Sequence, residues 1–189
     1  MRDRERGSEA DSVESKPTLS NRLYYEDLDQ GTVEFVRALY SDWDVSRHLS
    51  RVPFPFNRND AEELVAEMAS ARVAGDAFAF VIKERSTDAE VGLIVLRRLE
   101  DLTLLGYSII PSRWNMGYAT EAAKAMTEFA FSALGASTIQ ASTTAENIAS
   151  VRVLDKLGFK VHERDVLEST VHSGVRPVQR FRIYKEPWN

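Results

Sequence analysis

Three strand-length apolar runs follow one another with only short polar turns between them, and this constrains the chain more than any other feature. They are Ala77 to Lys83, Val91 to Leu99 and Thr103 to Ile110, separated by Arg85-Ser86-Thr87-Asp88 and Glu100-Asp101. Turns this short leave no room for crossover helices, so the runs predict an antiparallel meander. After Pro111 the apolar period switches to 3.6: Met126, Phe129, Ala130, Ala133 and Leu134 form one helical stripe, with Gly135 as its stop. A short strand, Thr138 to Thr143, precedes a helix carrying Val151, Leu154 and Leu157 and ending at Gly158. Strands at Phe159 to Glu163 and Val178 to Tyr184 complete the pattern.

Upstream, Arg22 to Leu28 reads as a first strand. Thr32 is placed to N-cap a helix with Val33, Val36, Leu39 and Tyr40 on one face. Val52-Pro53-Phe54-Pro55-Phe56 interrupts the helical pattern, because each proline restricts itself and its predecessor. Asp60 and Glu63 suggest a capping box opening a second helix, with Leu64, Val65 and Met68 inward. The expected fold is α+β: a mixed, mostly antiparallel sheet of six to seven strands flanked by about four helices.

Composition bounds the function. With 189 residues, 43% of them hydrophobic, the chain suits one domain, expected over 19–189 without repeats or an interdomain linker. Residues 1–18 hold nine charged side chains and little that is apolar, so they predict a disordered leader. Asp3 and Glu5 between the arginines, with Glu9 and Asp11 close behind, argue against a transit peptide, which avoids acids. A net charge of −5 argues against a nucleic-acid partner. No apolar run approaches the ~18 residues of a membrane span, and no secretory signal is present, so a cytoplasmic setting is expected. Cysteine is absent, which removes disulfides, thiolate zinc sites and a cysteine nucleophile. His48, His162 and His172 lie too far apart for metal-ligand spacing, so no metal is expected.

The segment with chemical content is Pro111-Ser112-Arg113-Trp114-Asn115-Met116-Gly117-Tyr118-Ala119-Thr120-Glu121-Ala122. A strand, a tight loop with one glycine and a helix start together form an anion site, because first-turn N–H groups converge there with the helix dipole. Gly117 permits close backbone approach, and Asn115 tolerates a left-handed conformation. The three glycines of a dinucleotide fingerprint and the Gly-Lys-Ser/Thr of a nucleotide P-loop are both missing, which disfavours a nucleotide-phosphate binder. On these residues alone, a plain strand-to-helix turn remains open.

A second segment shifts the balance: Asn147-Ile148-Ala149-Ser150, then Lys156-Leu157-Gly158-Phe159. With Gly106-Tyr107 and the Trp114-to-Ala122 loop, the chain resembles the GNAT superfamily of acetyl-CoA-dependent N-acetyltransferases, in its RimJ/RimL-like branch, over roughly 19–186. The resemblance implies that Trp114, Asn115, Met116, Gly117, Tyr118, Ala119 and Thr120 wrap the coenzyme A diphosphate through backbone amides. It implies that the strand ending at Ile109 and Ile110 pairs with pantetheine, and that a backbone N–H of Ile109 or its neighbour polarises the thioester carbonyl. Trp114 stands where the wider family has Gln or Arg, and Asn115 where this branch usually has Gly.

The same resemblance implies acetyl-CoA as cosubstrate and an amine acceptor, either a protein N-terminus or a small amine, attacked directly in a ternary complex. A covalent acetyl-cysteine is impossible without cysteine. Leu154 occupies the position of the tyrosine acid used by many members. Ser150 is the substitute donor to the leaving sulfur, or simply a first-turn residue; Asn147 is a coenzyme-contacting amide or the helix N-cap. A thiolate of pKa about 8.5 leaves unprotonated at pH 7 at a cost of about 2 kcal/mol. An α-amine is already about 10–20% neutral at pH 7, whereas a lysine amine needs about 4.6 kcal/mol.

No base is assigned by motif; His162, Glu163 and Glu146 are open candidates. Arg113 and Lys124 could meet a coenzyme phosphate or be solvated. Tyr40, Trp43, Phe54 and Phe56 could wall an acceptor pocket or belong to the core. A non-catalytic acyl-CoA-binding module on the same fold is the alternative, and a homodimer is left open.

Overall fold

The computed structural model describes residues 16–17, 20–49, 51–168 and 174–185. Seven strands form one sheet in the order β1-β2-β3-β4-β5-β7-β6: β1 (Leu23–Asp27), β2 (Ala77–Glu84), β3 (Glu90–Arg98), β4 (Thr103–Ile109), β5 (Thr138–Thr143), β6 (Lys160–Glu168) and β7 (Val175–Tyr184). All neighbours are antiparallel except β4 and β5. The helices are α1 (Val33–Ser41), α2 (Trp43–Ser46), α3 (Arg58–Ala74), α4 (Tyr118–Ser132) and α5 (Ile148–Lys156).

The predicted meander is β2-β3-β4, and its alternation builds two cores. From β2, Phe80 and Ile82 join the cluster under α4 and α5, while Ala79 and Val81 join the one under α1 and α3. The α1 face Val33, Val36, Leu39 and Tyr40 is buried, and so are Met126, Phe129 and Ala130 of α4.

Several local expectations shift. Asp29 caps a 3-10 turn ahead of α1, and Thr32 makes no side-chain cap. The capping box of α3 uses Asn57 with Asp60 as its third residue, so the helix opens three residues earlier than the Asp60–Glu63 expectation. Strands β6 and β7 are longer than expected. Most of β6 faces water on both sides, so it carries no apolar alternation for sequence reading to find.

Most of the expected leader lies outside the described residues, as does His172; within it, Lys16 pairs with Asp27 at 2.7 Å and Pro17 is buried. Among the described residues no helix is long and apolar enough to cross a membrane.

Burial pushes the phenols of Tyr25, Tyr40 and Tyr107 up to about 12. The folded state therefore keeps protons that the unfolded chain loses near pH 10. Stability tied to these groups is full below pH 10 and is lost between pH 10 and 12. Urea unfolding at pH 9 and pH 11.5 checks this: the midpoint falls at the higher pH, and Tyr40→Phe reduces the fall.

Candidate active site

The parallel contact between β4 and β5 covers only two residue pairs, Thr103 with Ile139 and Leu104 with Gln140. Beyond it the strands part. Leu105 to Ile109 on one side and Ala141 to Thr143 on the other line a cleft of about 490 Å³, closed by the start of α4, the first turns of α5, and α2.

Strand register decides which amides face this gap. The Ile110 N–H is bound to the Val91 carbonyl at 2.9 Å, and Ser108 pairs with Leu93 on the same side. Donors alternate along a strand, so the Ile109 N–H points away from β3, toward the gap. The Ile109 carbonyl, facing the same way, accepts the indole N–H of Trp114 at 2.7 Å. Trp114 thus ties the loop to the strand that carries the donor. Ile110 itself packs in the second core and lies outside the cleft lining.

A single 3-10 turn, Pro111–Arg113, carries the chain from β4 into the loop. Asn115 adopts φ 61°, and Gly117 adopts φ 83° as the N-cap of α4. Gly117 has no side chain to cap the helix, and Glu121 is the first residue to bond back, to the Gly117 carbonyl at 3.1 Å. Tyr118, Ala119 and Thr120 line the cleft at an uncapped helix start, which suits a diphosphate. Met116 lies outside the lining, and its carbonyl accepts from Arg22 at 3.0 Å.

The loop is braced from outside. Glu121 accepts from the Ser20 hydroxyl at 2.7 Å, the Arg22 backbone N–H at 2.8 Å and the Arg22 Nε at 2.7 Å. Burial opposes its charge, but these bonds outweigh it and hold the carboxyl below its usual range. Glu121 is thereby committed to Arg22 and does not compete for the first-turn amides. The Tyr118 hydroxyl donates to Glu84, which also takes Arg113 at 3.2 Å, while Arg22 lies 4.4 Å above the Tyr118 ring.

At the other wall, Asn147 caps α5 by accepting the Ser150 N–H at 3.2 Å, so the capping reading holds for its side-chain oxygen. Ser150 Oγ lies 3.0 Å from the Tyr107 hydroxyl, and both residues line the cleft. Leu154 is fully buried in the core. Leu154 therefore belongs to the core, and β4 brings Tyr107 to Ser150. Alternation along β4, which puts the Tyr107 side chain on one face with Leu105 and Ile109, is the sequence signal for this pair.

Of the aromatic candidates, Tyr40 and Phe56 meet edge-to-face in the core with ring centres 5.4 Å apart, and Trp43 and Phe54 do so at 4.9 Å. None lines the cleft; Asp44, Val45, His48 and Leu49 do. His162 is exposed on β6, Glu163 pairs with Arg180 at 3.0 Å and Glu146 with Arg176 at 2.9 Å, all outside the lining. Lys124 pairs with Glu128 at 3.8 Å on the surface, whereas Arg113 reaches the cleft. Among the described residues no cluster of His, Asp or Glu could hold a metal ion.

A strand-borne donor facing a splayed gap beside an uncapped helix start agrees with the comparison to known proteins. Residues 22–160 match the acetyltransferase (GNAT) domain family. The chain belongs to that family. With it, the chain joins the acetyl-CoA-dependent N-acetyltransferases. The uncharacterized N-acetyltransferase YoaA of Bacillus subtilis is 28% identical over 144 residues, covering 75% of this chain and 81% of YoaA.

Among solved structures, the ribosomal-protein-S5-alanine acetyltransferase of Vibrio fischeri superposes with a TM-score of 0.78 at 13% identity, over 92% of this chain and 98% of that one. The spermidine N-acetyltransferase of Vibrio cholerae, solved with CoA and spermine, gives 0.74 at 19% identity, over 86% and 95%. Both show that this GNAT domain shares their fold.

Proposed function

We propose that the protein transfers an acetyl group from acetyl-CoA to a primary amine, at a protein N-terminus or on a small molecule, by direct attack in a ternary complex. The observation that carries this reading is the Ile109 amide, turned into the gap between β4 and β5 and anchored through Trp114 to the diphosphate loop. A fixed N–H aimed at the thioester oxygen is already oriented when negative charge develops there, so it stabilises the transition state more than the ground state.

In this reading, Trp114, Asn115, Gly117, Tyr118, Ala119 and Thr120 hold the diphosphate, and Asn147 adds its amide beside the pantetheine arm. Ser150 donates to the departing sulfur. Either hydroxyl of the Tyr107–Ser150 pair can donate; with the Tyr107 phenol as donor to Ser150 Oγ, the serine hydrogen is left free to point outward.

Thiol release, read with a chromogenic thiol reagent, tests this without background from a cysteine-free chain. Turnover with an amine panel is expected. No turnover, with coenzyme still raising Tm, would favour a binding module. Ser150→Ala is expected to lower kcat roughly 10- to 100-fold with the acetyl-CoA KM within about twofold. Tyr107→Phe should lower kcat alone but add little on the Ser150→Ala background, because the two act as one unit. Equal turnover in Ser150→Ala removes the serine from the mechanism.

A further inference from the structure

We propose that His48, in the cleft wall beside α2, takes the proton released by the attacking amine. The inference rests on the acetyltransferase reading above and extends it to a residue that no sequence motif marks.

His48 follows α2 directly and is half-buried in the cleft wall, together with Asp44, Val45 and Leu49. It is the one imidazole among the described lining residues. In the reading above the wall at Trp114 to Thr120 holds the diphosphate, which leaves the α2 wall of the same cleft for the second substrate. The wall is firmly placed. Asp42 caps α2 through the Asp44 N–H at 2.8 Å, the Ser46 hydroxyl donates to the Tyr40 carbonyl, and Val45 is buried.

The charged groups around His48 come from three elements. Asp44 and Arg47 flank it from its own segment and pair with each other at 3.3 Å. Arg176 of β7 donates to the Arg47 carbonyl at 2.7 Å and to Glu146, in the turn before α5, at 2.9 Å. Both nearby carboxylates are thus engaged by arginines. Burial first, then Arg47 and Arg176, lower the imidazole below its ordinary 6.5, against the opposing pull of Asp44 and Glu146. An imidazole in that state is unprotonated at neutral pH and able to receive a proton.

The step balances with no further reactant. The amine nitrogen forms a bond to the thioester carbonyl carbon, the carbon–sulfur bond breaks, and sulfur leaves with the electron pair. The N–H proton passes to the free ring nitrogen of His48 and then to solvent. The ammonium of an α-amino group, near pKa 7.8, lies much closer to an imidazole base than a lysine ammonium near 10.4 does. Asp44 is also the only carboxylate among the described lining residues, against Arg113, Arg152 and Lys156. Such a lining offers little to a polycation, so an acceptor with one α-amino group fits this subsite better than a polyamine.

The test uses the full chain with acetyl-CoA and three acceptors: an alanyl peptide with a free N-terminus, N-α-acetyl-lysine amide and spermidine. With the alanyl peptide, kcat is expected to fall on the acid side with a midpoint below pH 6.5, and spermidine should be the poorest acceptor. His48→Gln should lower kcat at least about tenfold, flatten that acid limb and leave the acetyl-CoA KM within about twofold. A retained coenzyme-induced rise in Tm verifies its fold. Arg176→Gln removes a positive neighbour and frees Glu146, so it should move the midpoint upward while keeping the limb. Wild-type kcat and an unchanged acid limb in His48→Gln would overturn the role of His48 alone. Absence of turnover with every amine would overturn the acetyltransferase reading, and this proposal with it.

Discussion

Gly117→Val is expected to abolish the coenzyme-induced rise in Tm while the apoprotein still folds. The glycine sits at φ 83° as the N-cap of α4, a conformation that a β-branched residue adopts only under strain. The obstacle is the backbone conformation itself, since a Cβ built there comes no nearer to another group than 3.5 Å, at an Arg22 nitrogen. Valine relieves the strain by rotating the N-cap, and that rotation turns away the Tyr118 to Thr120 amides that hold the diphosphate in the proposed function. Charge-assisted hydrogen bonds are worth about 1.5–3 kcal/mol each, so losing two raises Kd at least about a hundredfold. Calorimetry with coenzyme A measures it directly. A Gly117→Val protein with the wild-type thermal shift would show that the diphosphate is held elsewhere.

Gly92→Ala is expected to damage stability and turnover together, although Gly92 touches no substrate in the proposed mechanism. Gly92 faces Ile109 across β3 and β4. A Cβ there would lie 2.1 Å from the Ser108 carbonyl oxygen and 3.1 Å from the Ile109 Cα. Both obstacles are backbone, so relief requires β4 to move away from β3 at the residue whose amide is aimed into the cleft. Overpacking of this kind costs about 1–3 kcal/mol or more, and Tm should fall by roughly 5–10 °C. A displaced donor loses its alignment with the thioester, so kcat should fall at least about tenfold. Gly106→Ala is the control for stability, because nothing lies within 4 Å of its Cβ. Wild-type Tm and kcat in Gly92→Ala would contradict the close approach of the two strands at this point.

The two glycines differ in how visible they are from sequence. Gly117 is legible because a loop glycine between a strand and a helix has a local meaning. Gly92, inside an apolar strand, reads only as a weak strand position until its partner across the ladder is known.

The same division runs through the whole chain. The α4 stripe, the β2-β3-β4 meander and the glycine-opened start of α4 were all readable from sequence. Each depends on the period, turn chemistry or motif position of neighbouring residues. The direction of the Ile109 amide, the Tyr107–Ser150 pair and the placement of His48 against the cleft were decided by tertiary structure. Strand register, the parting of β4 from β5, and the packing of a one-turn helix join residues far apart in the chain, and no local pattern encodes such distances.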